Sequence, residues 1–313
     1  MPQLFMKTSY LLSLILLGAA PFFFFGGPAY HSPQSYKAAW DLGHILFFSI
    51  ATILLSRFLE SRKPDLSAIS TLVALFLSVL LLGVGVEVLQ MLTSGRQPDP
   101  LDVARNQLGC LVGFGLVAWK SNVKWLKPFK YVVIVCLVGA SYPFIRSVVD
   151  EQIARKQFPV LASFETPFER LRWKAPKQLK VQSKIVSKGK HAMQVKLTTA
   201  KYSGTSLFYF PGNWSGYNVL NFSVYKQDNK PLVLHCRIHD QLHKKNGNAF
   251  NDRFYQKFTV QQGWNTFQVQ LSAVEQAPVS RMMDMHHIES FGLFVIEQPG
   301  PRTIYLDNIY LSK

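Results

Sequence analysis

Cysteine and charge are both scarce in this 313-residue chain. Three cysteines cannot build a disulfide framework, and none has the spacing of a zinc site. Charged residues make up only 17% of the sequence, against about 25% in ordinary soluble proteins. With 48% hydrophobic residues alongside, that shortage excludes a disordered or coiled-coil chain. Acid is the scarcer sign, with 18 Asp and Glu against 34 Lys and Arg and a net charge of +16. No metal motif appears, and no nucleophile stands beside a matched base. The basic residues are dispersed and form no recognition motif, which argues against nucleic acid as a partner and leaves anionic headgroups or acidic glycans.

What the chain has in quantity is phenylalanine, 24 in all, much of it in unbroken apolar runs before residue 150. Up to Val149 the net charge is +6 and polar residues are few; from Asp150 onward it is +10 and the segments are short and alternating. The organisation expected is a membrane α-helical bundle over 1–149, a linker over 150–161 and an all-β jelly-roll sandwich over 162–313. Five apolar stretches approach the roughly 20 helical residues a bilayer core requires: Ser9–Pro28, Trp40–Phe58, Ser67–Leu92, Val103–Trp119 and Lys130–Val149. Denied water, each must satisfy its own backbone, so each is expected to be a helix. Lys7 before Leu11–Ala20 also suits a signal peptide, but Pro21–Phe25 is too bulky for a cleavage region, so the first helix reads as retained. A cytoplasmic N-terminus places Lys7, Arg57, Arg62, Lys63, Lys120, Lys124, Lys127 and Lys130 on one side, with Lys37, Arg96 and Arg105 opposite. That bias predicts a multi-pass cell (inner) membrane protein with its second half periplasmic or extracellular.

The same topology gathers polar residues at the outer face: Asp41 and His44, Glu87 and Gln90, Asp102 and Asn106, with Arg96 and Asp99 between. Each pair is spaced i,i+3 or i,i+4 and shares one side of its helix. Ionisable groups in a span are costly and generally face a bundle interior or a wet cavity. The six read as a shared ligand site; the alternative is interfacial capping, with Asp102 as a helix cap paired to Arg96. The order Asp41-x-x-His44, Glu87-x-x-Gln90, Arg96, Asp102-x-x-x-Asn106-x-x-Gly109 and Gly113 resembles the VanZ-like membrane family over residues 10–120, although Leu42 stands where many members carry Lys. The resemblance implies an envelope role related to low-level resistance to teicoplanin-type glycopeptides and supplies no molecular activity. Gly83, Gly85, Gly109 and Gly113 read as helix-packing positions, and Cys110 and Cys136 as small hydrophobes.

Beyond Asp150 the period is two. Leu232, Leu234, Cys236 and Ile238 alternate with Val233, His235, Arg237 and His239, and Phe267, Val269 and Leu271 behave alike. Turn clusters separate such runs, and about eight antiparallel strands fit between Ala162 and Lys313. Ser163-Phe164-Glu165, Trp214–Tyr217, Arg237–Asp240, Gly263-Trp264-Asn265 and Tyr305–Ile309, in that order, are similar to a galactose-binding-like sandwich, the fold of many carbohydrate-binding modules. That likeness implies a structural calcium held by Glu165 and Asp307, carboxylates of the kind such sites need; Asp307 as a plain turn residue is the alternative. Trp173, Trp214 and Tyr217 are the candidate sugar-stacking rings, with Tyr202 and Trp264 also available and Trp264 read as core. His235, Arg237 and His239 share one strand face and are read as surface, and Cys236 as a buried thiol.

Three functions follow as expectations. The first is a binding protein that holds an amphipathic envelope lipid, lipid-linked glycan or glycolipid at Asp41, His44, Glu87, Gln90, Arg96, Asp102 and Asn106, while the sandwich engages an envelope polysaccharide. The second is a membrane-embedded enzyme using His44, Glu87 and Asp102 in acid–base chemistry on a lipid-linked phosphate or glycolipid, with Arg96 on the oxyanion. The third is a structural docking platform.

Overall fold

The computed structural model describes residues 2–92, 99–119, 121–174 and 178–313, without the side chains of 2–6. The chain divides into a helical unit, Met1–Ser147, and a sandwich unit, Val148–Lys313.

Five helices make up the first part: α1 (Pro2–Ala19), α2 (Gln34–Arg62), α3 (Ala68–Met91), α4 (Pro100–Val117) and α5 (Leu126–Gln157). Ser67 caps α3 by accepting the Ser70 N–H, and Asp99 caps α4 by accepting the Leu101 N–H at 2.9 Å, with Pro100 at the first helical position. Asp102 therefore lies inside the first turn and is not the cap. Among the described residues, α2, α3 and α5 are long and apolar enough to cross a membrane, and a shorter apolar stretch covers Lys7–Phe23. The expectation of five such spans is thus met by composition and length in three. α4 falls short because Asp102, Arg105, Asn106 and Gln107 crowd its first two turns. Asp102, Arg105 and Asn106 pair with residues of α2. A Cβ on Gly109 would stand 2.6 Å from the Ile45 carbonyl oxygen, and one on Gly113 2.5 Å from that of Ser49, so α4 meets α2 backbone to backbone. Ser49 Oγ donates across that seam to the Gly109 carbonyl at 3.0 Å. The helical core is Phe23, Phe48, Leu75, Val79, Cys110, Phe114 and Leu126.

The stretch expected as a linker over 150–161 is ordered instead. α5 continues to Gln157, and Val160–Ala162 form the first strand. Asp150, on the last turns of α5, is fixed by Arg172, whose Nη2 and Nε reach its carboxylate at 2.6 and 3.0 Å.

Among the described residues, ten antiparallel strands build the sandwich: β1 (Val160–Ala162), β2 (Leu179–Gln182), β3 (Ala192–Leu197), β4 (Tyr202–Leu207), β5 (Val219–Lys226), β6 (Leu232–Asp240), β7 (Phe254–Val260), β8 (Gly263–Gln270), β9 (Ile288–Ile296) and β10 (Arg302–Ser312). One sheet has the order β2-β3-β10-β5-β8, with β1 also on β10; the other is β4-β9-β6-β7. Leu232, Leu234, Cys236 and Ile238 are wholly buried between them, as their alternation requires. In β10 the phase changes: Ile304 and Leu306 face the core, and so do Ile309 and Leu311. A bulge between Asp307 and Tyr310, with Asn308 at φ +50°, inserts the residue that resets the register.

Candidate functional site

Every described member of the predicted polar set enters one network in the helical unit. His44, 4% exposed on α2, places Nδ1 3.0 Å from Asn106 Oδ1 and Nε2 3.5 Å from Asp102 Oδ2. Asp41, one turn before, accepts from Arg105 Nη2 at 2.9 Å, and Arg105 also binds Asp102 and reaches Asp99 at 3.5 Å. Glu87 Oε2 accepts the Asp99 N–H at 2.9 Å, tying α3 to the cap of α4. Gln90 donates to the Phe23 carbonyl at 2.8 Å, and the Phe23 ring stands edge-on to His44 with centroids 4.9 Å apart. Arg96 lies outside the described residues.

Arg105 is the hub that sequence reasoning missed. It appeared only as one of three cations on the outer side, while Arg96 took the recognition role. The legible signal was its i,i+3 spacing from Asp102 as the one basic residue of α4. Gly83 has a more specific task than general packing, because a Cβ there would stand 2.8 Å from Asn106 Nδ2. Among the described residues, Glu87 Oε1 and Asn106 Nδ2 are buried polar atoms of the network without a hydrogen-bond partner. Such groups cost about 1–3 kcal/mol each when left unmet. Beside the network runs an apolar cleft of about 340 Å³, lined by Leu16, Phe22, Phe23, Trp40, His44 and Phe47 among others. His44 is the polar residue where cleft and network meet.

In the sandwich, the expected sugar-stacking rings lie elsewhere than a binding face. Trp173 and Trp214 are 2% and 0% exposed and belong to the core, and Tyr217 packs on that core against Phe158. Large rings inside an aligned sandwich fill the space between sheets, so indole in a strand-rich segment is first a packing residue. Trp264, read as core, instead pairs with Tyr225 at 5.4 Å on β8 and β5, with Tyr305 beyond. It faces away from the core side of that sheet.

The outer face of the four-stranded sheet carries the ring array that the sequence did not reveal. Tyr202, Phe294, His235 and Tyr255 follow one another across β4, β9, β6 and β7, and Phe250 follows from the turn before β7, with neighbouring centroids 6.1, 5.3, 5.5 and 5.2 Å apart. Cross-strand register sets them on one face: His235 opposes Phe294 and Lys257, and Arg237 opposes Gly292 and Tyr255. Tyr202 and Phe250, at the two ends, are each 63% exposed. His235 and His239 are buried, not the surface residues expected. Burial, with Lys257 adding to it, pushes the His235 imidazole below its usual range, and its Nδ1 is held by the Tyr255 hydroxyl. Arg253 lies over the Phe250 ring at 4.8 Å.

At the ends of β6 and β7 sits a closed ionic knot. Arg281 Nε and Nη2 bind Asp252 at 2.7 and 2.8 Å, and Nη2 reaches Asp240 at 2.9 Å. Hydrogen bonding from Arg281 holds the Asp252 carboxyl down at about 2, with Asn246 and His243 assisting.

Glu165 and Asp307 do not fit the calcium site expected of them. Glu165 Oε1 accepts the Lys190 and His191 N–H groups at 2.7 and 2.9 Å, and Oε2 faces His191 Nδ1 at 3.2 Å. Asp307 Oδ2 accepts from Ser187 and Lys188 at 2.7 and 3.0 Å, and Oδ1 from Asn308 at 2.7 Å. Calcium requires about six to eight oxygens, whereas this loop aims N–H donors at both carboxylates. Gly189, at φ +79°, lets it close, since a Cβ would stand 2.3 Å from Glu165 Oε1. Burial opposes ionisation of both acids. At Glu165 the backbone donors prevail and lower its pKa, while at Asp307 burial prevails and raises it.

No family model matches this sequence, and no curated relative does. Solved structures do. A family 11 carbohydrate-binding module from Clostridium thermocellum, in complex with a β-1,3-1,4-mixed-linked tetrasaccharide, is 21% identical, with 49% of this chain and 94% of that one covered at a TM-score of 0.36. A family 30 module of a Clostridium thermocellum cellulosomal cellulase is 12% identical, covering 44% and 82% at 0.32. An exo-β-agarase is 13% identical, covering 43% and 22% at 0.32.

Proposed function

We propose that this chain is a multi-pass membrane protein that retains an amphipathic envelope lipid or lipid-linked glycan in its helical unit and engages a glycan on its sandwich. The observation that carries the first half is His44. Its ring borders an apolar cleft that suits an acyl chain, and behind it Asn106, Asp102 and Arg105 offer a fixed polar end. Glu87 Oε1 and Asn106 Nδ2, buried and without a partner among the described residues, leave hydrogen-bonding capacity for a headgroup. The second half is supported by the ring-bearing face, whose end rings Tyr202 and Phe250 are exposed, because sugars stack their C–H faces on aromatic rings and hydrogen-bond at the edges.

In this reading all five helices cross. α4 is 18 residues and so about 27 Å long, close to the hydrocarbon thickness. Its polar turns are compatible with a bilayer because they pair with α2. The N-terminus is then cytoplasmic, Lys120, Lys124, Lys127 and Lys130 lie on that side, and the sandwich is periplasmic or extracellular. Membership of the VanZ-like type, with a part in glycopeptide resistance, belongs to the same proposal.

The test is lipid retention. Full-length protein purified in mild detergent should carry co-purifying lipid by native mass spectrometry, and Glu87→Gln and Asp102→Asn should lose it while staying monodisperse. Cysteine labelling that put positions 87 and 124 in one compartment would end the topology.

The His44 Nε2 to Asp102 contact of 3.5 Å favours a second reading, acid–base chemistry on a lipid-linked phosphate. Incubation of the detergent-purified protein with lipid-linked phosphates across metal conditions decides between them, and product formation lost in His44→Gln would establish the enzyme.

A further inference from the structure

The ring-bearing face of the four-stranded sheet also carries charge of one sign. Arg237 sits mid-strand on β6, and Arg253 immediately precedes β7. The Nε of each is buried without a hydrogen-bond partner. Among the described residues neither guanidinium has a carboxylate beside it, although the acids nearest in sequence, Asp240 and Asp252, are both bound to Arg281. Lys257, opposite His235, adds a third cation. Burial and the neighbouring charge of Arg253 both disfavour the charged form of Arg237, lowering its pKa. Two like-charged, partly desolvated arginines, each with a buried Nε that has no acceptor among the described residues, gain from an anion supplied from outside the chain. Gly292 stands between Ser206 and Arg237 on the same face, and a Cβ there would stand 2.7 Å from Ser206 Oγ and 3.9 Å from Arg237 Nε, so this glycine brings a hydroxyl up beside the guanidinium.

We propose that this face takes an acidic polysaccharide, with rings such as Tyr202 and Phe294 stacking its sugars and Arg237 with Arg253 clamping a carboxylate, sulfate or phosphate substituent. The proposal rests on the reading of this face as the glycan site and names the class of glycan. Planar guanidiniums suit such anions because their N–H groups are arranged in a fork that matches two oxygens at once.

The experiment uses the full-length chain in detergent and isothermal titration with four oligosaccharide probes of equal length: a neutral glucan, an oligogalacturonate, a sulfated galactan and a phosphorylated mannan. One or more acidic probes should bind at least about tenfold more tightly than the glucan, and the preference should shrink as salt rises. Arg253→Gln should weaken that binding by about 10- to 100-fold, the range for a lost charge-assisted hydrogen bond. Because the substitution removes a like charge beside Arg237, its melting temperature should be unchanged or higher, which a purely structural arginine would not give. Trp264→Ala, on the other sheet, should leave affinity unchanged. Equal binding of glucan and acidic probes would overturn the inference while leaving the glycan face standing. Binding of none of them would overturn both. Loss of binding in Trp264→Ala, or full binding in Arg253→Gln, would move the ligand elsewhere and overturn it as well.

Discussion

Replacing Arg281 with alanine should cost the sandwich about 3–5 kcal/mol, the range for removing one partner from a buried ion pair. The figure follows from what would be stranded. Asp240 is wholly buried and Asp252 is 4% exposed, and Arg281 supplies both with fork hydrogen bonds. Asp240 would keep the Asp284, Leu242 and His243 N–H groups, so the loss at Asp252 dominates. For a unit of this size 1 kcal/mol moves the melting temperature by about 2–4 °C, which predicts a fall of about 6–20 °C at neutral pH. The pH dependence gives the reasoning its sharper test. Asp252 titrates at about 2 when folded, below its ordinary 3.8, so its stabilising contribution is complete above about pH 5 and fades as acid takes the solution toward pH 2. That contribution is about 1–2 kcal/mol after allowance for solvent around the partly open Arg281. Thermal melts of wild type and Arg281→Ala, followed by tryptophan fluorescence in detergent, should therefore lie far apart at pH 7, and the gap should narrow by about 2–8 °C as the pH falls from 5 toward 2. A neutral-pH difference under about 2 °C, or one that does not change with pH, would refute the ionic account.

Other expectations are quicker to check. Gly113→Val should push α4 from the Ser49 carbonyl it now touches, and size-exclusion chromatography should show a lower yield of monodisperse protein, with Gly85→Ala harmless because nothing lies within 4 Å of it. Chelation with EGTA should leave the sandwich melting curve unmoved, since amide N–H groups fill the Glu165 and Asp307 oxygens. Cys236 is buried, which raises its thiol pKa, so maleimide should reach it only after denaturation. Glu165→Gln should lower stability near neutral pH and flatten the fall of the stability profile on its acid side. Its folded pKa is lowered, so its contribution is present above the ordinary carboxylate range and disappears as the pH falls through the folded value.

Periodicity made the two-part architecture legible, because helices and strands declare themselves in every residue of a repeating face. The i,i+3 and i,i+4 pairs likewise placed Asp41, His44, Glu87, Gln90, Asp102 and Asn106 in one network, since helical spacing is rigid enough to project forward. The hub was missed because Arg105 makes its contacts to Asp41 and Asp99 through a long flexible side chain, and no spacing rule carries across 64 residues. The ring face was missed for another reason. Tyr202, Phe294, His235 and Tyr255 come from four strands whose order, β4-β9-β6-β7, is set by crossovers. Aromatic count alone favoured Trp173 and Trp214, and their size is what makes them core. The β10 bulge similarly reset the phase at Asp307, which turned a presumed ion ligand into an acceptor for loop amides.

The contrast among the polar clusters is itself informative. In the sandwich, buried acids are answered from within the chain: Glu169 accepts from Ser163, Phe164 and Thr166, Asp307 from three amides, Asp240 and Asp252 from Arg281, and Asp150 from Arg172. Those groups specify loop and strand ends, and closure is what makes their burial tolerable. Among the described residues, the helical network and the ring face depart from that pattern. The helical network leaves Glu87 Oε1 and Asn106 Nδ2 open beside the residues that border the cleft, and the ring face leaves Arg237 and Arg253 without an acid. A fold that closes its ionic groups elsewhere bears a cost at these two, and each opens beside apolar or aromatic surface of the sort a ligand covers. Substitutions separate the two kinds of cluster by sign: breaking the Arg281 knot should lower stability with or without ligand, whereas neutralising Arg253 should spare stability and lower affinity.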